Sequence, residues 1–204
     1  MKKRIFVALL AATGFLSATA YADSPWMLRG RIANIDPDTS GSVAPGLEVD
    51  VDNNWGVTGD IVYFWTPNIS TTLLFTYPQK HDVSVSTIGA VGDIKQLPPT
   101  LTLDYHFNVT PEANIYVGAG VTWFYITSDD LAIPGGPPID IDKSNFGPAI
   151  RVGLDYKLNK NWSLNIDVQK TWVSTEVSVP ALGIPGADID IDPWVYGVGV
   201  GYRF

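Results

Sequence analysis

From Trp26 to the C-terminus the chain alternates in polarity with a period of two residues, not 3.6. In the last segment Trp194, Tyr196, Val198, Val200, Tyr202 and Phe204 share one face. Val195, Gly197, Gly199, Gly201 and Arg203 share the other. Residues 55–65, 100–107, 115–125, 146–158 and 162–169 repeat the pattern, and residues 26–35 and 69–78 carry it more weakly. Eight strands are predicted. Side chains alternate between the two sides of a strand, so each segment has an apolar face and a face of small residues and isolated charges.

A soluble sandwich alternates too, but there the polar face meets water. Here that face holds Gly, Ala, Ser and Thr with charges of both signs: Arg29, Arg31, Asp60, Asp104, Arg151, Asp155, Lys157, Asp167 and Arg203. Such a surface suits the inside of a narrow closed barrel. The apolar face begins and ends in aromatics. Trp55, Trp123, Phe146, Trp172 and Trp194 fall near one end, and Trp65, Phe107, Trp162 and Phe204 near the other. Two aromatic girdles flanking an apolar band are what a lipid-facing barrel needs. Short connections at 66–68, 108–113 and 159–161 alternate with long ones at 36–53, 79–96, 128–144 and 174–192. The expected fold is all-β: an eight-stranded antiparallel up-and-down transmembrane β-barrel with long extracellular loops, short periplasmic turns and both termini on the periplasmic side.

The first 22 residues supply a delivery route. Lys2, Lys3 and Arg4 precede an apolar run from Ile5 to Leu16, and Ala20-Tyr21-Ala22 offers a small-residue cleavage site. This is the order of a secretory signal peptide, and the run is short of the ~20 residues of a spanning helix. Residues 1–22 are therefore expected to be cleaved, leaving 23–204 as the barrel domain. Removing them leaves ten of the 13 basic residues against 21 acidic ones. A nucleic-acid surface is excluded on that balance. The absence of Cys excludes disulfides, a thiol nucleophile and a Cys-ligated metal.

Several stretches resemble one family. The terminal Asp192-Pro193-Trp194-Val195-Tyr196-Gly197-Val198-Gly199-Val200-Gly201-Tyr202-Arg203-Phe204 is similar to the end of outer-membrane protein W (OmpW) family members. So are Gln96-Leu97-Pro98-Pro99-Thr100-Leu101-Thr102-Leu103, Tyr105-His106-Phe107, Tyr116-Val117-Gly118-Ala119-Gly120 and Val152-Gly153-Leu154-Asp155-Tyr156. The resemblance spans the mature chain. It implies a barrel of the Gram-negative outer membrane, in contact with lipid and lipopolysaccharide, with a role in uptake of small hydrophobic compounds and in stress adaptation. In some members it implies use as a colicin or phage receptor. The C-terminal Phe204 also resembles the signal read by the outer-membrane assembly machinery.

Candidate chemistry is sparse. His81, followed by Asp82, Ser84 and Ser86, reads as a solvated loop histidine, and His106 with Asp104 as part of an interior polar network. No glycine-rich phosphate loop or zinc motif is present, so neither an enzyme nor a cofactor or metal site is expected. Fifteen of the 21 acids lie in or beside the outer connections, a solvated acidic rim. Two of these connections echo each other as Ile139-Asp140-Ile141-Asp142 and Ile189-Asp190-Ile191-Asp192, which suggests strands continuing beyond the membrane. Inside the barrel, Arg29, Arg31, Arg151 and Lys157 are expected to pair with Asp60, Asp104, Asp155 and Asp167 as a plug. That disfavours an aqueous pore.

Two functions from different classes remain. The first is transport: an apolar upper pocket that releases its ligand sideways into the membrane. Parity places Leu74, Ile139, Ile141, Ile189 and Ile191 inward, although one residue of slip would reverse any of them. Pro78 ends the third strand, and Leu97, Pro98 and Pro99 lead into the fourth at the same height. Proline gives no N–H to a ladder, so that seam is expected to be poorly bonded. Gln169 stands where the family leads one to expect an apolar or aromatic inward residue. The second function is a structural or adhesive barrel acting through its acidic loops as a surface receptor. An apolar interior in the outer half favours the first, and a wholly polar interior the second.

Overall fold

The computed structural model describes residues 24–44, 47–86 and 88–204. The expected signal peptide, residues 1–22, lies outside them. Among the described residues there are fifteen strands: β1 (Trp26–Asp36), β2 (Ser42–Ala44), β3 (Leu47–Val51), β4 (Asn54–Thr66), β5 (Ile69–Thr76), β6 (Gln79–Val85), β7 (Gly89–Leu97), β8 (Thr100–Asn108), β9 (Ala113–Leu131), β10 (Asp140–Ile141), β11 (Ser144–Lys157), β12 (Trp162–Thr171), β13 (Ser174–Val179), β14 (Ile184–Asp190) and β15 (Trp194–Arg203).

Eight of them close a ring in the order β1–β4–β5–β8–β9–β11–β12–β15, every pair antiparallel. The last strand returns to the first, with Met27 opposite Arg203 and Asp36 opposite Trp194. The expected eight-stranded up-and-down barrel is the observed one. Its outer face is apolar and exposed: Ile32, Val57, Leu103 and Val198 are each more than half accessible. At the periplasmic end Trp26, Tyr63 and Trp65 pack edge to face, as do Trp162, Tyr202 and Phe204. At the outer end Trp123 stacks on Phe146 and Trp194 on Tyr196. Trp55 and Trp65 stand ten residues apart on β4, about the strand length that crosses a bilayer.

The long outer connections are there, and strands continue into them, as the echoing Ile-Asp segments suggested for two of them. They are largely strand, and they build a second storey on the barrel. β7 pairs with the outer half of β9 on the edge whose inner half carries β8, and β6, β3 and β2 follow in turn. The two echoing Ile-Asp segments meet across β13 in a second sheet, β10–β13–β14. The cause is composition. Val49, Val51, Val83, Val85, Val177 and Val179 are β-branched residues on alternate positions, and they bury one face together.

Candidate functional site

The interior is layered. At the periplasmic end Ser70 Oγ lies 2.8 Å from His106 Nε2, and His106 Nδ1 lies 2.7 Å from Asn114 Oδ1. Ser70 and His106 are at most 1% accessible. A serine so enclosed cannot admit an acyl group, so this chain of hydrogen bonds is structural.

Above it sits an ion layer. Arg29 donates to both carboxylate oxygens of Asp155, at 3.1 and 2.6 Å. Arg31 reaches Asp60 at 2.5 Å and Asp167 at 3.1 Å. Arg151 bridges Asp167 at 2.8 Å and Asp60 at 3.2 Å. Tyr116 crosses the lumen to donate to Asp167 at 2.7 Å, with the Arg29 and Arg151 guanidinium groups against its ring. Two glycines make this possible. A Cβ on Gly153 would collide with the hydroxyl end of Tyr116, and one on Gly118 with the Asp104 carboxylate. Three buried cations thus meet three buried anions, and isolated charges at this depth would each cost several kcal/mol.

Higher still is a tier of neutral polar groups. Thr100 and Thr122 are 2.8 Å apart, Thr122 and Thr171 3.2 Å, and Gln169 reaches Thr100 and Thr171 from β12. Above this tier the lining turns apolar. Phe124, Ile126, Val173 and the apolar inward residues of β3, β6, β7, β13 and β14 form one buried cluster. Within it is a cavity of about 60 Å³, lined among others by Val51, Val83, Ile94, Val177, Ile139, Ile141, Ile189 and Ile191. That is well below the ~300–1,000 Å³ of ordinary small-molecule sites, so the chamber is closed down as it stands.

The wall is interrupted just below this chamber. The ladder between β5 and β8 ends at Leu74 opposite Thr100. The ladder between β6 and β7 begins at Gln79 opposite Gln96. Residues 75–78 and 97–99 are not paired with each other. Each side keeps its other neighbour: Phe75 and Thr76 remain paired with β4, and Trp123 donates to the Pro99 carbonyl at 2.9 Å. On the outer surface beside the break, Trp55, Val57, Tyr77 and Pro78 line an open recess of about 510 Å³, with Asn54 and Gly56 behind them.

The nine residues expected at a pocket and exit separate into two groups. Ile139, Ile141, Ile189 and Ile191 line the cavity. Leu74 is buried but sits lower, between Asp60 and Thr100 in the ladders. Pro78, Leu97, Pro98 and Pro99 flank the wall break. In the plug, Arg29, Arg31, Arg151, Asp60, Asp155 and Asp167 come together. Asp104 joins through the hydroxyls of Thr72 and Thr102, at 2.5 and 2.8 Å, rather than through an arginine ion pair. Lys157 is exposed at the periplasmic mouth and is not in the plug.

His81 corrects the reading of a solvated histidine. It is 1% accessible, and its Nδ1 donates to the Asp52 carbonyl at 2.9 Å. Four residues (75–78) stand against three (97–99) at the break, and this one-residue slip turns His81 inward with Val83 and Val85. Burial holds its pKa below the usual histidine value, so the ring is neutral. Phe124 was legible, since it shares the inward parity of Tyr116 and Thr122. Nothing in the sequence counted the slip that buries His81. Among the described residues no group of three or more His, Asp or Glu is arranged to hold a metal ion.

The sequence model of the OmpW family matches residues 24–204. Outer membrane protein W of Vibrio cholerae is 32% identical over 97% of this chain and 97% of its own length. The outer-membrane protein y4mB of Sinorhizobium fredii is 36% identical over 89% of this chain and 80% of its own. Among solved structures, the outer membrane protein OprG from Pseudomonas aeruginosa superposes with a TM-score of 0.78 at 29% identity, over 89% of this chain and 97% of that one. With a closed ring of eight strands, a lipid-facing belt and these matches along its length, the chain belongs to the OmpW family and is a multi-pass β-barrel of the outer membrane.

Proposed function

We propose that this barrel takes small hydrophobic molecules into its apolar outer storey and passes them sideways into the membrane between β5 and β8. Family membership supports a general transport role. The finer reading rests on one observation: an apolar outer lining closed off below by a polar tier and the ion layer, with a lapse in the wall just beneath it. A molecule entering from outside meets Val, Ile and Phe side chains and is favoured by their burial. It cannot go further down without breaking the hydrogen-bonded threonine tier and the buried Arg–Asp pairs beneath it. The break at residues 75–78 and 97–99 lies at the level where its descent stops. The small cavity means that the outer strands must part to admit it. The receptor reading draws support from the acidic rim, but it gives no reason for an apolar lumen beneath that rim.

The test uses the absence of native cysteine. Tyr77→Cys with Leu97→Cys places one thiol on each side of the break. Uptake of a small hydrophobic probe into proteoliposomes is expected to fall severalfold on oxidation and to recover on reduction. Equal rates in the two states would refute the lateral exit.

A further inference from the structure

Between the apolar chamber and the wall break lies a threshold that is not apolar. His81 on β6 is paired with Ile94 on β7, and both Ile94 and the neighbouring Val83 line the cavity. Gln96 is the next inward residue below Ile94, and Gln169 faces the lumen from β12. All three are at least 97% buried. His81 Nε2, Gln96 Oε1 and Gln169 Oε1 have no hydrogen-bond partner within the protein. The tautomer of His81 follows from its other nitrogen. The Asp52 carbonyl can only accept, so Nδ1 carries the proton and Nε2 presents a lone pair. Buried acceptors left unmatched are costly, by about 1–3 kcal/mol each. A purely hydrocarbon ligand would leave that cost in place at the one step between chamber and exit.

We infer that the preferred ligand is an apolar molecule bearing a hydroxyl group, which donates to His81 Nε2 while its hydrocarbon part occupies the chamber lined by Val83 and Ile94. Gln96 and Gln169 extend the acceptor set along the inner wall below. This deepens the proposed transport function and rests on it. A hydrogen bond to His81 favours the alcohol at the threshold, and an isomeric ether, which has no donor, sets its lone pairs against those of the wall. A buried acceptor left unmatched by the ether disfavours it by about the worth of one hydrogen bond.

Two isomers separate the ideas: 1-hexanol and methyl pentyl ether. Their binding to the full barrel in lipid nanodiscs is measured by calorimetry, with empty nanodiscs subtracted. The wild-type protein is expected to bind the alcohol about five- to tenfold more tightly, the worth of one hydrogen bond to a buried acceptor. His81→Leu is expected to remove that preference while leaving ether binding within about twofold. Equal affinities in the wild type overturn this inference and leave the transport function standing, and that comparison needs no variant to fold. A preference that survives His81→Leu also overturns the assignment. Binding of neither compound refutes the hydrophobic-ligand function itself, and this inference with it.

Discussion

Arg151 touches Asp60, Asp167 and the Tyr116 hydroxyl at once. Replacing it with Met leaves two carboxylates short of a partner in a dry interior. The expected loss is about 3–5 kcal/mol, the usual cost of breaking a buried pair, read from the urea midpoint in lipid. Adding Asp167→Leu should recover part of that loss, because the unpaired charge is what costs. Gly153→Val is expected to displace Tyr116 and lower the midpoint as well, although Gly153 carries no charge. His81 gives a pH signature. Its folded pKa lies below the ordinary value of 6.5 because of burial, so the unfolded chain takes up the proton first. Stability from the β6–β7 hairpin is full above about pH 6.5 and declines as pH falls. Limited proteolysis of the hairpin should accelerate between pH 7.5 and 5, and His81→Phe should flatten that response. The ion layer was legible because inward charges of opposite sign on alternating strands have few places to go. His81 was not, because parity fails across a bulge that leaves no composition signal.

The strands themselves were read correctly wherever a single period ran unbroken, as on β8, β11, β12 and β15. Of the outer storey only the strands at the Ile-Asp segments were legible; β6 and β7 were not, because Pro78 and Pro98-Pro99 look like terminators. A proline does end a run of N–H donors, but a strand can resume beyond it. Thr100 faces Thr122 and Leu97 faces Tyr125, so β7 and β8 keep one register along β9 across the two prolines. Their function at the break can be tested by returning the donors. Pro98→Thr with Pro99→Val should let the ladder to residues 75–78 close. Amide exchange there is expected to slow by at least tenfold, and hydrophobic uptake to fall in parallel. Faster exchange, or uptake unchanged with a closed ladder, would count against the prolines as the cause of the opening.

At the scale of the molecule, Phe204 completes the ring. Its carbonyl accepts from Ser24 at 2.9 Å and its N–H donates to Trp26 at 3.2 Å, next to the Tyr202 ring. Phe204→Asp puts a charge on the lipid-facing belt and alters the terminal aromatic. Heat-modifiable folded protein in outer-membrane fractions is expected to drop several-fold. The break in the wall also sets a size. It is three residues long on one side and four on the other, and intact ladders pin it above and below. At ~3.3 Å per residue it is an unpaired seam about 10–13 Å long, held at both ends. As the proposed exit, with its ends fixed, it would sieve by cross-section rather than by mass: a slender chain of many carbons would thread through it, while a compact fused-ring molecule of equal weight would have to force apart strands that are stitched on both sides.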